Sequence, residues 1–252
     1  MRRTFAAVAL AILLALSGCS ALPFGGGGGG LTADQAPPGV DAENGTFADS
    51  AALLDAHTET LLKTGFTYRF STNATVVQEG QRRRVSRSQL TQGAPNATEY
   101  GFRTRNPGSQ IDAWGNESVQ AVRFRFGDRV VYRQAQPIPA EQLTGESVFG
   151  RYLSAGGWNV TNVTEREDTT DLVTLTSTTE PANPRALPDN ATDLRDYEAH
   201  VVVDSEGRIY EFSASGTYTI DGSQGSFAIA YTLRSLEDPG VTRPQWVPEA
   251  LS

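Results

Sequence analysis

The chain predicts an α+β fold, with one or two helices packed on a large antiparallel sheet of about ten strands. Three observations carry this. An apolar stripe at helical spacing runs through residues 47–61. From Phe66 onward the period drops to two and recurs along the rest of the chain. Gly- and Pro-bearing turns separate the alternating segments. The part expected to fold, residues 46–248, suits one domain.

The chain opens with Arg2 and Arg3, then a twelve-residue apolar run from Phe5 to Leu16, then Leu16-Ser17-Gly18-Cys19. A bilayer-spanning helix needs about 20 residues, so the run reads as the core of a signal peptide covering residues 1–18. Arg2-Arg3-Thr4-Phe5 resembles a twin-arginine export signal; a plain positive start to a general secretion signal is the other reading. Cys19 is the only cysteine and closes a lipobox-like sequence, so it is the expected lipidation site. A stable anchor takes two acyl-type chains, and the lipobox pathway resembles one that supplies them. The expectation is an exported protein held on the outer face of the cell membrane. Residues 19–45 read as a flexible linker, with Gly25 to Gly30 followed by Pro37-Pro38-Gly39.

Thr46 and Asp49 have capping-box spacing, and Phe47, Ala51, Leu54, Thr58 and Leu61 share one helical stripe ended by Gly65. A first helix is expected over residues 46–64. Alternation then marks strands at Phe66-Tyr68-Phe70, Val122-Phe124-Phe126, Tyr197-Ala199-Val201-Val203, Tyr210-Phe212-Ala214 and Phe227-Ile229-Tyr231-Leu233. Gly127 and Gly207 sit in hairpin-like turns. A second helix is expected between Pro139 and Leu153, ended by Gly156-Gly157. Residues 180–194 form a loop, and the tail from Pro239 to Pro248 is expected to be extended.

Seven of nine asparagines begin an Asn-x-Ser/Thr sequon: Asn44, Asn73, Asn96, Asn116, Asn159, Asn162 and Asn190. Random placement among 44 Ser and Thr in 252 residues would give about one or two. They are the expected N-glycosylation sites of an exported chain, although a Thr-rich strand composition inflates the number. The formal net charge is −8, and loss of Arg2 and Arg3 with the signal takes it to −10. That excludes nucleic acid as a partner. Lys63 is the only lysine among 21 basic residues, a bias shared with proteins of extreme halophiles and, in part, with high-GC genomes.

The order of elements is similar to the lipoprotein-carrier superfamily of LolA, LolB, LppX and LprG. There an N-terminal helix precedes a curved antiparallel half-barrel, and further helices cap its concave face. The hairpin Val201 to Phe212, with Asp204-Ser205-Glu206-Gly207 at its turn, looks like the late hairpin of that group. Cys19 with its glycine linker, and the ending Arg243-Pro244-Gln245-Trp246-Val247-Pro248, resemble a family of haloarchaeal lipoproteins. The resemblance implies a curved half-barrel over residues 46–248. It also implies a lipid or lipoprotein acyl chain in the half-barrel, or a half-barrel that has lost its cavity.

For catalysis the chain offers little. There is no Gly-x-Ser-x-Gly elbow, no His-x-x-x-His and no Cys-x-x-Cys, and the six-glycine run lacks the Lys-Ser/Thr of a phosphate loop. No metal or cofactor is expected. His57 reads as lying on the polar side of the first helix and His200 on the wet face of a strand. Asp168 with Asp171, and Asp189 with Asp193, read as solvated loop carboxylates, or as calcium or glycosidase carboxylates. Arg82, Arg83, Arg84 and Arg87 read as a solvated edge, or as a contact for lipid headgroups or an anionic polymer. The aromatic residues Phe66, Phe70, Phe102, Phe124, Phe126, Tyr132, Phe212 and Tyr231 are expected on one face of the sheet. They form either an ordinary core under the helices or a pocket for an acyl or isoprenoid chain. Two main readings of function follow: a non-catalytic carrier of a lipid or other hydrophobic ligand, or a structural or interaction glycoprotein of the cell envelope with a plugged half-barrel. A surface hydrolase is the third.

Overall fold

The computed structural model describes residues 31–78, 81–154, 156–167, 169–181, 183–187, 191–220 and 222–252. The signal segment, Cys19, the six glycines, Asp168, Asp189 and Asn190 lie outside them. The described chain forms one open, curved antiparallel sheet of 13 strands with three helices. The first strands are β1 (Val40–Asp41) and β2 (Thr46–Phe47), followed by helix α1 (Ser50–Thr64). A six-strand meander comes next: β3 (Phe66–Gln78), β4 (Gln81–Gly93), β5 (Glu99–Asn106), β6 (Ser109–Asn116), β7 (Gln120–Phe126) and β8 (Arg129–Ala135). Helix α2 (Glu146–Leu153) leads to β9 (Asn159–Thr164), β10 (Leu172–Ser177), β11 (Thr192–Asp204), β12 (Ile209–Ile220) and β13 (Ser223–Ser235). Helix α3 (Val247–Leu251) ends the chain. Across the sheet the order is β1-β2-β9-β10-β11-β12-β13-β3-β4-β5-β6-β7-β8. The two meanders therefore meet where β13 pairs with β3.

The first helix starts later than the stripe suggests. Thr46 and Phe47 pair with Asp41 and Val40 as strand, and the Phe47 N–H is donated to Trp158 O. Their backbone is thus committed to the sheet, and the folded part extends upstream of residue 46. Asp49 becomes the N-cap, its Oδ1 accepting from the N–H groups of Ala51 and Ala52 at 3.0 and 3.1 Å. Gly65, at φ 78°, ends the helix and donates to Leu61 O. The buried face is Leu53, Leu54, His57 and Leu61, with Ala51 exposed. Burial of the three leucines contributes about 1.5–3 kcal/mol each and docks α1 on the sheet.

The second helix is split. A 3₁₀ turn at Ala140–Leu143 and α2 are separated by Gly145, whose φ of 94° breaks the helical path. The tail also differs from the extended expectation, because it closes into α3 and packs on β7 and β8. The Asp204 turn forms as read. Gly207 takes φ 80°, and the buried Asp204 accepts from the N–H groups of Glu206 and Arg208 and from Arg208 Nε at 2.6 Å.

Sheet curvature has a visible cause on the helix-bearing face. Phe66 lies opposite Gly93, Tyr100 opposite Gly115, Tyr218 opposite Gly225 and Phe227 opposite Gly216. Each ring lies over its glycine: a Cβ at Gly93 would sit 2.6 Å from Phe66 Cζ, and one at Gly115 would sit 2.5 Å from Tyr100 Oη. Glycine lets the strands bend inward, and the neighbouring ring covers the bared backbone.

Candidate functional site

Register determines what the concave face offers. One cross-strand row runs Leu175, Val201, Phe212, Tyr231, Phe70, Gln89, Thr104, Ile111, Phe124 and Val131, one residue per strand from β10 to β8. Paired residues share a face, so this row lies wholly on the helix side. Its first four members are fully buried. Beyond Tyr231 the row is less covered: Phe70, Gln89, Ile111, Phe124 and Val131 are half-buried, while Thr104 between them stays buried.

The covered half is filled. Phe149 of α2 inserts between Tyr231 (centroids 4.8 Å) and Phe212 (5.5 Å), and Tyr68 packs on Tyr231 at 5.0 Å. Phe66, Phe212 and Tyr231 are therefore core residues rather than a cavity lining. Burial pushes the Tyr231 hydroxyl well above its ordinary pKa, and the neighbouring Tyr68 adds to this. That hydroxyl has no hydrogen-bond partner among the described residues.

His57 belongs to the same core, not to the polar side of α1. It is completely buried, and Nδ1 accepts the Ile209 N–H at 3.1 Å, so the proton sits on Nε2. Burial pulls its pKa down to about 4; the Thr144 backbone works the other way, but Nε2 makes no hydrogen bond among the described residues and burial prevails. The spacing Leu53/Leu54, His57, Leu61 carried this information, since the histidine stands three or four residues from each leucine. His200 is, as read, partly exposed, and it pairs with Glu198 at 2.9 Å.

The open half keeps apolar surface. Phe70, Phe102 and Phe124 are half-buried and Phe126 is 51% exposed. Phe124 and Phe126 stack at 6.4 Å and, with Val131, line a recess of about 350 Å³ rimmed by Arg129 and Arg133. A second recess of about 370 Å³ lies beside α2, between Tyr68, Phe70 and Ile229 and the side chains of Arg87 and Arg151. A polar bridge divides the two: Thr104 Oγ1 and Arg87 Nη2 donate to Gln89 Oε1, and Gln89 Nε2 donates to Thr91 Oγ1, all at 3.0–3.1 Å. Tyr132 is the exception among the eight aromatics. It pairs with Arg123, so it lies on the convex face, stacked near Trp246 at 6.3 Å. The other seven lie on the concave face; alternation within a strand does not specify the register of β8 against β7.

The convex face holds a charge cluster that sequence reading passed over. Asp112 on β6 is 5% exposed and accepts from Arg103 Nε (2.7 Å), Arg123 Nη2 (3.0 Å), Arg125 Nη2 (3.0 Å) and Gln110 Nε2 (2.9 Å). Burial is the largest influence and would raise its pKa, but the hydrogen bonds from Arg103, Gln110, Arg125 and Arg123 together hold it at about 2. The tail arches over these strands and encloses a recess of about 710 Å³. Trp114, Ala121, Val247 and Ala250 form a small apolar cluster there. The Arg123/Arg125 alternation was legible as a polar face, but nothing in it announced that the tail would cover that face.

The other singled-out residues stay apart. Asn44, Asn73, Asn96, Asn159 and Asn162 are exposed, while Asn116 is half-buried with Oδ1 accepting from Ser118 and Val119 N–H. Arg82, Arg83, Arg84 and Arg87 are exposed along β4. Asp171 accepts from Gln35 Nε2 and the Arg166 N–H, which lower its pKa, and Asp193 is exposed. Among the described residues no three of His, Cys, Asp and Glu meet as a metal-binding group.

An open antiparallel half-barrel with an N-terminal helix on its concave face is the class that this geometry defines. The chain belongs to the family described as "Family of unknown function (DUF7537)", whose model matches residues 4–250. No curated protein matches it. Among solved structures it is similar to the Mycobacterium tuberculosis lipoprotein LppX, at 12% identity over 77% of this chain and 99% of that one, with a TM-score of 0.39. It is also similar to a putative outer membrane lipoprotein-sorting protein domain from Vibrio parahaemolyticus (8% identity, 79% and 97% coverage, TM-score 0.28). A LolA superfamily protein from Nitrosomonas europaea matches at 11% identity, 76% and 96% coverage and a TM-score of 0.27. At TM-scores below 0.5 these likenesses bear on neither ligand nor activity.

Proposed function

We propose that this chain is an exported, lipid-anchored module of the cell envelope that binds a hydrophobic chain, acyl or isoprenoid, without catalysing a reaction. The observation that supports it is the concave row. The row that forms the core under α1 and α2 continues as Phe70 and, beyond the polar Gln89–Thr104 bridge, as Ile111, Phe124 and Val131, flanked by Phe102 and Phe126. Such a strip exposes apolar surface that a partner of matching chemistry would cover. Because the deep half is plugged, a ligand lies across the face rather than inside a closed cavity.

This sets the affinity. A buried methylene contributes about 0.8 kcal/mol. On an open face roughly half of that is realised, so ten methylenes give about 4 kcal/mol, in the millimolar range, before ordering costs. A two-chain lipid doubles the contact and approaches the micromolar range. The reading therefore favours two-chain lipids.

Cys19 and the leader support the location at the outer face of the cell membrane, and the exposed sequons suit an exported surface. Native protein extracted with organic solvent should release a lipid beyond the Cys19 modification, detected by mass spectrometry. Phe124→Asp should abolish binding of a fluorescent polyene fatty acid while leaving the fold intact. No released lipid, together with equal probe binding in the variant, would sink the carrier reading. For the anchor, Cys19→Ser should move the chain from the membrane to the soluble fraction.

The packed rings around Phe149 favour one rival, a structural or interaction glycoprotein whose half-barrel is plugged by its own side chains. Absence of a co-purifying lipid would select it.

A further inference from the structure

On the reading that a hydrophobic chain lies across the concave face, we infer that its ligand is an anionic amphiphile, with a phosphate or carboxylate head held by Arg87 and Arg151 in the recess beside α2. Register supplies the first observation. From β3 to β8 the pairing runs without a shift, so the inward positions are the even-numbered residues of β3, β5 and β7 and the odd-numbered residues of β4, β6 and β8. Those positions hold four arginines, Arg83, Arg87, Arg129 and Arg133, and no aspartate or glutamate. Helix α2 adds Arg151 to the recess, and its one acid, Glu146, does not line it. Arg87 and Arg151 are exposed, and neither is in an ion pair among the described residues. The overall charge of −8 lies elsewhere in the chain, since residues 66–135 hold 11 arginines against 5 acidic residues.

The two concave recesses differ in what they offer. Beside α2, the polar Thr72, Gln89, Gln142 and Ser147 stand with the two guanidiniums around Phe70 and Ile229. The other recess, apart from Arg129 and Arg133, is lined only by Phe124, Phe126 and Val131. Arg133 lies over the Phe124 ring, with Cζ 5.9 Å from its centroid, so its stem adds apolar cover. The head therefore belongs beside α2 and the chain end on Phe124. Phe70 and Phe124 stand four strands apart, roughly 19 Å along the sheet, the reach of a long acyl or isoprenoid chain. Phe102, inward on β5, gives apolar footing between them beside the Gln89–Thr104 bridge. Guanidinium forks match the oxygens of phosphate and carboxylate alike, so an anionic phospholipid and a free fatty acid share this chemistry.

Binding of a fluorescent polyene fatty acid and of its methyl ester to the full chain, in neutral detergent, tests this. At about pH 8 the acid is ionised and the ester is not, while the hydrocarbon chain is the same. The acid should bind about tenfold tighter than the ester. Arg87→Gln and Arg151→Gln should each weaken acid binding about threefold to fivefold, the scale of one exposed charge pair, and leave the ester unchanged. Both arginines are exposed and outside ion pairs, so the variants keep the fold, which a thermal melt checks. Arg84→Gln removes the same charge from the convex face of the same strand and should change neither probe. Displacement of the acid by dioleoyl phosphatidylglycerol but not by dioleoyl phosphatidylcholine assigns the head to an anionic phospholipid. Tighter acid binding with displacement by neither assigns it to a free fatty acid. Equal affinity for acid and ester, or equal displacement by both phospholipids, overturns the inference and leaves the carrier reading standing. So does unchanged acid binding in Arg87→Gln and Arg151→Gln, or an equal loss in Arg84→Gln, which would mean diffuse attraction. If neither probe binds, the carrier reading falls and the anionic ligand with it.

Discussion

Mild acid should destabilise this protein through a single side chain. His57 is held neutral in the core, with its pKa at about 4 against an ordinary 6.5. Because the folded-state value is depressed, the unfolded chain binds the proton first as pH falls. Stability from this group is therefore complete above about pH 6.5 and is lost progressively as pH drops towards 4. Each pKa unit corresponds to about 1.4 kcal/mol, so the loss is about 2 kcal/mol at pH 5 and about 3 kcal/mol once pH falls below 4. Urea melts at about pH 7.5 and about pH 5 measure it, with His57→Asn as the comparison. Asparagine offers an acceptor to the Ile209 N–H and does not titrate. The variant is less stable at both pH values, since a buried ring is lost, but its pH dependence should be smaller by about 2 kcal/mol. Working at pH 5 and above leaves Asp112, held at about 2, ionised in the folded state. Parallel pH dependence in the two proteins would refute the reasoning, and would mean that water or a backbone shift lets the imidazolium form without cost.

Leu54→Asp should lower stability by at least about 3 kcal/mol, because it places an unpaired carboxylate between α1 and the sheet; a thermal melt that shifts only slightly would show α1 to be peripheral. Gly93→Ala should cost about 1–3 kcal/mol, since the new methyl meets the fully buried Phe66 ring at 2.6 Å and that ring has nowhere to move. Intact-mass analysis of native protein should show glycans, with peptide mapping placing them at the exposed Asn44, Asn73, Asn96, Asn159 and Asn162 before the half-buried Asn116. A mass equal to peptide plus lipid would dismiss glycosylation.

What the sequence by itself determined is local. Period-two alternation located β3, β7, β11, β12 and β13, because each strand must hide one face. Asp204 and Gly207 specified their hairpin, because a positive φ at Gly207 and a carboxylate that accepts turn N–H groups are short-range requirements. The apolar run that ends at Leu16-Ser17-Gly18-Cys19 and the Asn-x-Ser/Thr spacing are likewise readable within a few residues. Tertiary structure decided the rest. Thr46 has good helix-capping chemistry, yet pairing with β1 took its backbone into the sheet and moved the cap to Asp49. His57 is buried where β12 supplies the Ile209 N–H to its Nδ1, from 152 residues away in sequence. Register placed Tyr132 on the opposite face from Phe124, a one-residue matter that alternation within a strand does not specify. Arg103, Asp112 and Arg123 come from three different strands, and each alone looks like one more solvated charge. Only pairing of β5, β6 and β7, with the tail folded over them, removes that carboxylate from water and gathers the arginines around it. Long-range pairing is set by burying the whole sheet at once, and no local pattern of residues carries that sum.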